Sequence, residues 1–138
     1  MTSAAKTWRR RTGALAFAVA MTVGFTACGG GDDHHSSEGY VPPKGPSTET
    51  ISIVAQNFSF TPKNPTADAG IATIKLTAKS GIHDFVFDDD SYPGFHLEAD
   101  GGGGSQSEKI DLKAGKYTFY CTITGHRAQG MEGTLTVK

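Results

Sequence analysis

Cys121, His126 and Met131 fall within the segment Tyr117 to Val137, YTFYCTITGHRAQGMEGTLTV, and bring a thiolate, an imidazole and a thioether into one short stretch. That is a soft donor set with one borderline nitrogen, which suits copper better than magnesium, calcium or manganese. His83, in the upstream run Ser80-Gly81-Ile82-His83-Asp84-Phe85-Val86-Phe87, offers a second imidazole. Two imidazoles and a thiolate with a weak axial thioether make a trigonal His₂Cys site. Each residue alone is ordinary, since a lone Cys on a strand or a Met before one is usually core. Their joint occurrence, in this order and on strand-like elements, carries the reading.

The elements that must position these side chains read as β. Tyr117 to Cys121 is aromatic and β-branched, and Gly133 to Val137 alternates polar with apolar, so both are expected strands. Between them Gly125 and Gly130 punctuate a loop able to fold back and aim three side chains at one point. In the run from Ile82 to Phe87, His83 shares a face with Phe85 and Phe87, while Ile82, Asp84 and Val86 take the opposite face. Thr50 to Ala55 alternates and Asn57-Phe58-Ser59-Phe60 follows, with Pro62 and Pro65 as breaks. Ala69-Gly70 reads as a turn before Ile71 to Ala78. Ser107 to Leu112, a turn at Lys113-Ala114-Gly115, Lys116 to Cys121 and Glu132 to Lys138 complete about seven or eight short strands. No stretch has helical periodicity, so the expected fold is an all-β Greek-key β-sandwich.

The long connection from Asp88 to Gln106 contains Asp88-Asp89-Asp90, His96 and four consecutive glycines, Gly101 to Gly104. It is expected to be a mobile surface loop. Its acidic run is a solvated face or a docking patch for a cationic partner, and His96 a surface histidine or a further ligand.

The first 27 residues have the parts of an export signal: Lys6, Arg9, Arg10 and Arg11, then an apolar run from Gly13 to Phe25 too short for an ordinary membrane span. Phe25-Thr26-Ala27-Cys28 resembles a bacterial lipoprotein signal, which implies cleavage before Cys28 and lipid on its sulfur. Residues 28–49, rich in Gly, Ser, Pro and charge, are expected to be a flexible linker, with His34 and His35 solvated or weakly metal-binding. Residues 50–138 are the expected folded domain. Without its leader the chain carries nine Lys+Arg against fourteen Asp+Glu, a formal charge of −5, so a basic nucleic-acid footprint is absent. With Cys28 lipidated, Cys121 has no disulfide partner, and metal ligation or burial would protect its thiol in an oxidising compartment. The expected location is exported, lipid-anchored at the outer face of the cytoplasmic membrane or in the periplasm.

A lone upstream His followed by Cys-x4-His-x4-Met before a final strand resembles the blue copper proteins, the cupredoxins. The loop spacing is most similar to the auracyanin and rusticyanin type, and the HDFVFDDD run around His83 resembles the first-ligand strand of plastocyanins. The resemblance implies one type 1 copper per chain on His83, Cys121, His126 and Met131, with His126 on the solvent side. It also implies a strut from the residue after the first His to the residue after the Cys, here Asp84 and Thr122 in place of the usual Asn. The N–H groups of Asp84 and Ile123 would then donate to the sulfur. The implied role is a non-enzymatic, monomeric electron carrier serving redox proteins of an electron-transfer chain. The alternative is a copper-binding or copper-delivery protein of the envelope. A delivery protein favours exposed Met- and His-rich sites, and only three Met occur in the chain. A copper oxidase needs an open coordination position or a second copper site, which the chain does not supply.

Overall fold

The computed structural model describes residues 39–138. The expected signal segment, the lipidation site Cys28, and His34 and His35 lie outside the described residues.

The expected all-β sandwich is the observed fold, built from nine strands rather than seven or eight. In chain order these are β1 (Glu49–Gln56), β2 (Ser59–Thr61), β3 (Thr66–Ala67), β4 (Gly70–Ala78), β5 (His83–Phe87), β6 (His96–Ala99), β7 (Ser105–Leu112), β8 (Gly115–Tyr120) and β9 (Glu132–Val137). One sheet runs β2-β1-β4-β7 and the other β3-β9-β8-β5-β6. The β1–β4 and β3–β9 pairs are parallel and the others antiparallel. Among the described residues the only helical element is a 3-10 turn at Arg127–Gln129, and no helix is long and apolar enough to cross a membrane.

Period-two alternation decides which side chains enter the core. Ile51, Ile53 and Ala55 of β1 and Ala72, Ile74, Leu76 and Ala78 of β4 are buried from one sheet. Tyr117 and Phe119 of β8, Leu135 and Val137 of β9, and Phe85 and Phe87 of β5 are buried from the other. Phe85 stacks on Phe119 with centroids 4.6 Å apart and meets Phe60 and Phe95 edge-on, which makes an aromatic floor beneath the end of the sandwich that carries His83 and Cys121. Gly133 has no Cβ because one would collide with the Phe119 ring and the Lys63 carbonyl.

The Asp88–Gln106 connection differs from the expected mobile loop. It holds an edge strand, β6, paired with β5 through His83↔Ala99, Asp84↔Glu98, Phe85↔Leu97 and Val86↔His96. Phe95, Leu97 and Ala99 alternate into the core, and their burial is what fixes the strand. The glycine run is also tied down: Gly103 N–H donates to the Ala78 carbonyl at 2.9 Å, and Ala78 N–H to the Gly104 carbonyl at 2.9 Å. Part of the expected linker is docked as well. Tyr40 meets Phe95 edge-on at 5.0 Å and donates its hydroxyl to the Lys109 carbonyl at 2.9 Å, and Thr48 N–H donates to Ile71 at 2.8 Å. Burial pushes the Tyr40 hydroxyl up to about 12, so this anchor stays a donor throughout the physiological range.

Candidate metal centre

His83 opens β5, Cys121 follows β8, and His126 precedes the 3-10 turn in the β8–β9 loop. The potential ligand atoms of His83, Cys121 and His126 lie within 4.8 Å of one another. Cys121 Sγ is 3.3 Å from His126 Nδ1, and the two imidazole rings have centroids 5.1 Å apart. The loop closes on itself through its backbone: Cys121 N–H donates to the Met131 carbonyl at 3.1 Å, and Met131 N–H to the His126 carbonyl at 3.1 Å. Gly130, in the left-handed region at φ 94°, turns the chain back into β9 and places the Met131 side chain in the interior. The loop therefore folds back as its punctuation implied.

His83 and Cys121 are buried and His126 is half-buried. His83 Nδ1 is a buried polar atom with no hydrogen-bond partner. Its ring N–H donates to the Ser80 carbonyl, and since Nδ1 is unpartnered the donor is Nε2. That contact fixes the tautomer and leaves the Nδ1 lone pair for a metal. Burial, then the neighbouring His126, hold His83 below the usual histidine range, so it is neutral at pH 7 and ready to ligate. Burial pushes the Cys121 thiol up to about 11, against which the N–H groups of Asp84 and Ile123 donate to its sulfur. A cation seated between these atoms would reverse that bias. An orphaned buried nitrogen, a second imidazole nitrogen and a hydrogen-bonded sulfur fit a copper ion.

The Asp84–Thr122 strut is present. Asp84 Oδ1 accepts from Thr122 N–H at 2.6 Å, and Asp84 Oδ2 accepts from the Thr122 hydroxyl. Of the two expectations for His96, the surface histidine is the one observed: it is half-exposed on β6, outside the donor cluster, with Nε2 3.4 Å from Asp84 Oδ2.

Three features escaped the sequence reading. Asn57 and Phe58 form a two-residue turn between β1 and β2 with φ 46° and 60°, not part of a strand run, and this sets the Phe58 ring edge-on to His126 at 4.8 Å. Phe58, Ile82 and Ile123 surround a hollow of about 400 Å³ that reaches His83 and His126. Arg127 clamps the ligand loop, with a two-pronged contact to Asp88 at 2.6 and 2.9 Å and a third to Glu132 at 3.1 Å, and lies 4.1 Å over the Tyr120 ring. Arg127 holds the Asp88 carboxyl below its ordinary range, so part of the acidic run is committed within the molecule. An Asn ahead of a bulky residue at a hairpin was a faint signal for the first feature. The others depend on residues distant in sequence.

The fold and the donor cluster define a cupredoxin. A family model described as copper binding proteins, plastocyanin/azurin family, matches residues 48–138, and the chain belongs to that family. A dithionite-reduced auracyanin from the photosynthetic bacterium Roseiflexus castenholzii matches with TM-score 0.57 at 22% identity, over 67% of this chain and 99% of that one. Auracyanin B matches with TM-score 0.56 at 21% identity, over 72% and 95%. A reduced amicyanin variant matches with TM-score 0.51 at 16% identity, over 64% and 82%. At these identities the likeness is one of fold. A comparison with curated proteins found no match. Copper is the cofactor that the family and the donor set define, and the His83-Cys121-His126 arrangement fits a type 1 site.

Proposed function

We propose that the protein is a blue copper electron carrier, tethered to the cell envelope through lipid on Cys28, that passes single electrons between redox proteins. The observation that carries the redox reading is the buried, unpartnered Nδ1 of His83, a residue whose ligand atom lies within 4.8 Å of those of Cys121 and His126. When bound there, copper supplies a one-electron couple. His83, Cys121, His126 and Met131 would hold the ion, a donor set tolerable to both oxidation states. The strands and the clamped loop resist rearrangement, and small reorganisation favours fast transfer. His126 is the exit side, because it faces the apolar hollow beside Phe58 and Ile82, where a partner's surface can exclude water.

A copper(II) titration of the metal-free protein, followed spectrophotometrically and then by ascorbate, tests this. The expected result is an intense thiolate-to-copper band that saturates at one copper, bleaches on reduction, returns on reoxidation and is missing from Cys121→Ser. A Cys121→Ser protein that stays blue overturns the assignment. Rapid copper exchange with no reversible redox cycle would place the protein among copper-delivery modules instead.

A further inference from the structure

The run Gly101 to Gly104 is more glycine than a connection between β6 and β7 requires. Gly102 and Gly103, at φ 84° and 98°, make the turn and have open space where a Cβ would stand. Gly101 is different. A Cβ there would lie 2.5 Å from Gly81 N and 3.0 Å from both Gly81 O and Ser80 C. All three are backbone atoms, so no flexible side chain can move aside. The turn is laid against residues 78–81 by the Gly103–Ala78 and Ala78–Gly104 hydrogen bonds and by Gly102 N–H to the Lys79 carbonyl at 3.3 Å.

The peptide that Gly101 backs is the one that holds His83. The Ser80 carbonyl accepts the His83 Nε2–H, and a Cβ on Gly81 would stand 3.8 Å from that same Nε2. Loop, peptide and imidazole are thus stacked in series, with a ring nitrogen of His83 within 4.8 Å of the ligand atoms of Cys121 and His126 and Nδ1 left without a hydrogen-bond partner. We propose that Gly101 is a positioning residue of the copper centre: its missing side chain seats the glycine turn against the Ser80–Gly81 peptide, which orients the His83 ring and presents Nδ1 to the metal. This rests on the copper reading above for its consequence, but the orientation itself belongs to the metal-free chain.

Gly101→Ala, compared with Gly102→Ala in the full chain, separates this role from general loop stability. Gly102→Ala carries the greater backbone strain, since its φ is positive, yet its Cβ touches nothing. Two readouts apply: the nitrogen chemical shifts of the His83 ring in the metal-free protein, which report the tautomer, and the thiolate-to-copper band with the copper dissociation rate in the loaded one. Gly101→Ala is expected to lose the pure Nε2–H tautomer, shift the band and release copper about tenfold faster. Gly102→Ala is expected to lose stability and leave both readouts unchanged. A folded Gly101→Ala protein with the parent's tautomer, band and dissociation rate overturns the proposal. Should Gly101→Ala not fold, deletion of Gly103 withdraws the turn from the same peptide without adding an atom. Unchanged readouts in that folded variant overturn the proposal equally. A parent protein with no thiolate band at all fails the copper reading, and the ring shifts of the metal-free variants still decide the placement of His83.

Discussion

At the scale of single residues, the centre has a carboxylate, Asp84, where the cupredoxin resemblance implies an amide. Asp84 sits beside a proposed ligand, buried, with both oxygens engaged by Thr122 and His96 3.4 Å away. Asn at this position can still accept from Thr122 N–H and donate to its hydroxyl, so Asp84→Asn removes the charge and keeps the strut. A full negative charge so placed stabilises copper(II) over copper(I), and at an effective dielectric constant near 20 it corresponds to a shift on the order of 100 mV. The variant's potential is therefore expected to rise, measured by voltammetry, and an unchanged or lowered potential would show that the Asp84 carboxylate does not set it. Cys121 gives a second prediction. Its pKa is raised by burial from 9.0 to about 11 in the metal-free protein. The stability that the neutral thiol contributes is fully present below about 9 and is lost as pH rises through about 11. The loss is on the order of 3 kcal/mol. Urea unfolding of metal-free protein at pH 8 and pH 11, set against Cys121→Ala, should show that difference in the parent alone. Equal losses in both would place the alkaline instability elsewhere.

At the scale of elements, what the sequence made legible follows from how local each signal is. The strands around Cys121 and Met131 were readable because alternation and turn glycines are encoded within the loop itself. His83 could be assigned a face from period two alone. β6 was obscured by its setting between an acidic run and a glycine run, although Phe95, Leu97 and Ala99 alternate, and only pairing with β5 makes that short pattern a strand. The Asp84–His96 contact and the Gly101–Gly81 approach join positions that no spacing rule connects. The β1–β2 turn was not legible because Phe58 is an unfavourable choice for it. Positive φ at both central residues favours Asn-Gly, and a non-glycine there costs about 1 kcal/mol or more. Phe58 is 39% exposed, so it gains little from burial in return. Phe58→Gly is thus expected to leave thermal stability equal or raise it by about 1 kcal/mol, while opening His126 to water. A loss of stability instead would mean that the edge-on contact with His126 outweighs the strain.

At the scale of the whole molecule, the centre lies at one end of a sandwich whose core does not depend on it. The aliphatic layer of β1, β4 and β7 and the aromatic floor of Phe60, Phe85 and Phe119 are buried without any contribution from a metal. Even within the ligand loop, the backbone bonds among Cys121, His126 and Met131 and the Arg127 clamp run between protein atoms alone. This is the opposite of a zinc finger, where metal binding is folding. The metal-free protein should therefore be folded, and copper should add stability by mass action only. At free copper a thousandfold above the dissociation constant that amounts to about 4 kcal/mol. For a domain of this size, 1 kcal/mol moves the midpoint by roughly 4–8 °C, so loading should raise it by about 15–30 °C. Circular dichroism melts of metal-free and loaded protein check both halves. A cooperative metal-free transition with unchanged β signal supports a pre-built site. A metal-free chain without a transition would mean that the ligand loop is assembled by copper, and low reorganisation could then no longer be ascribed to the fold.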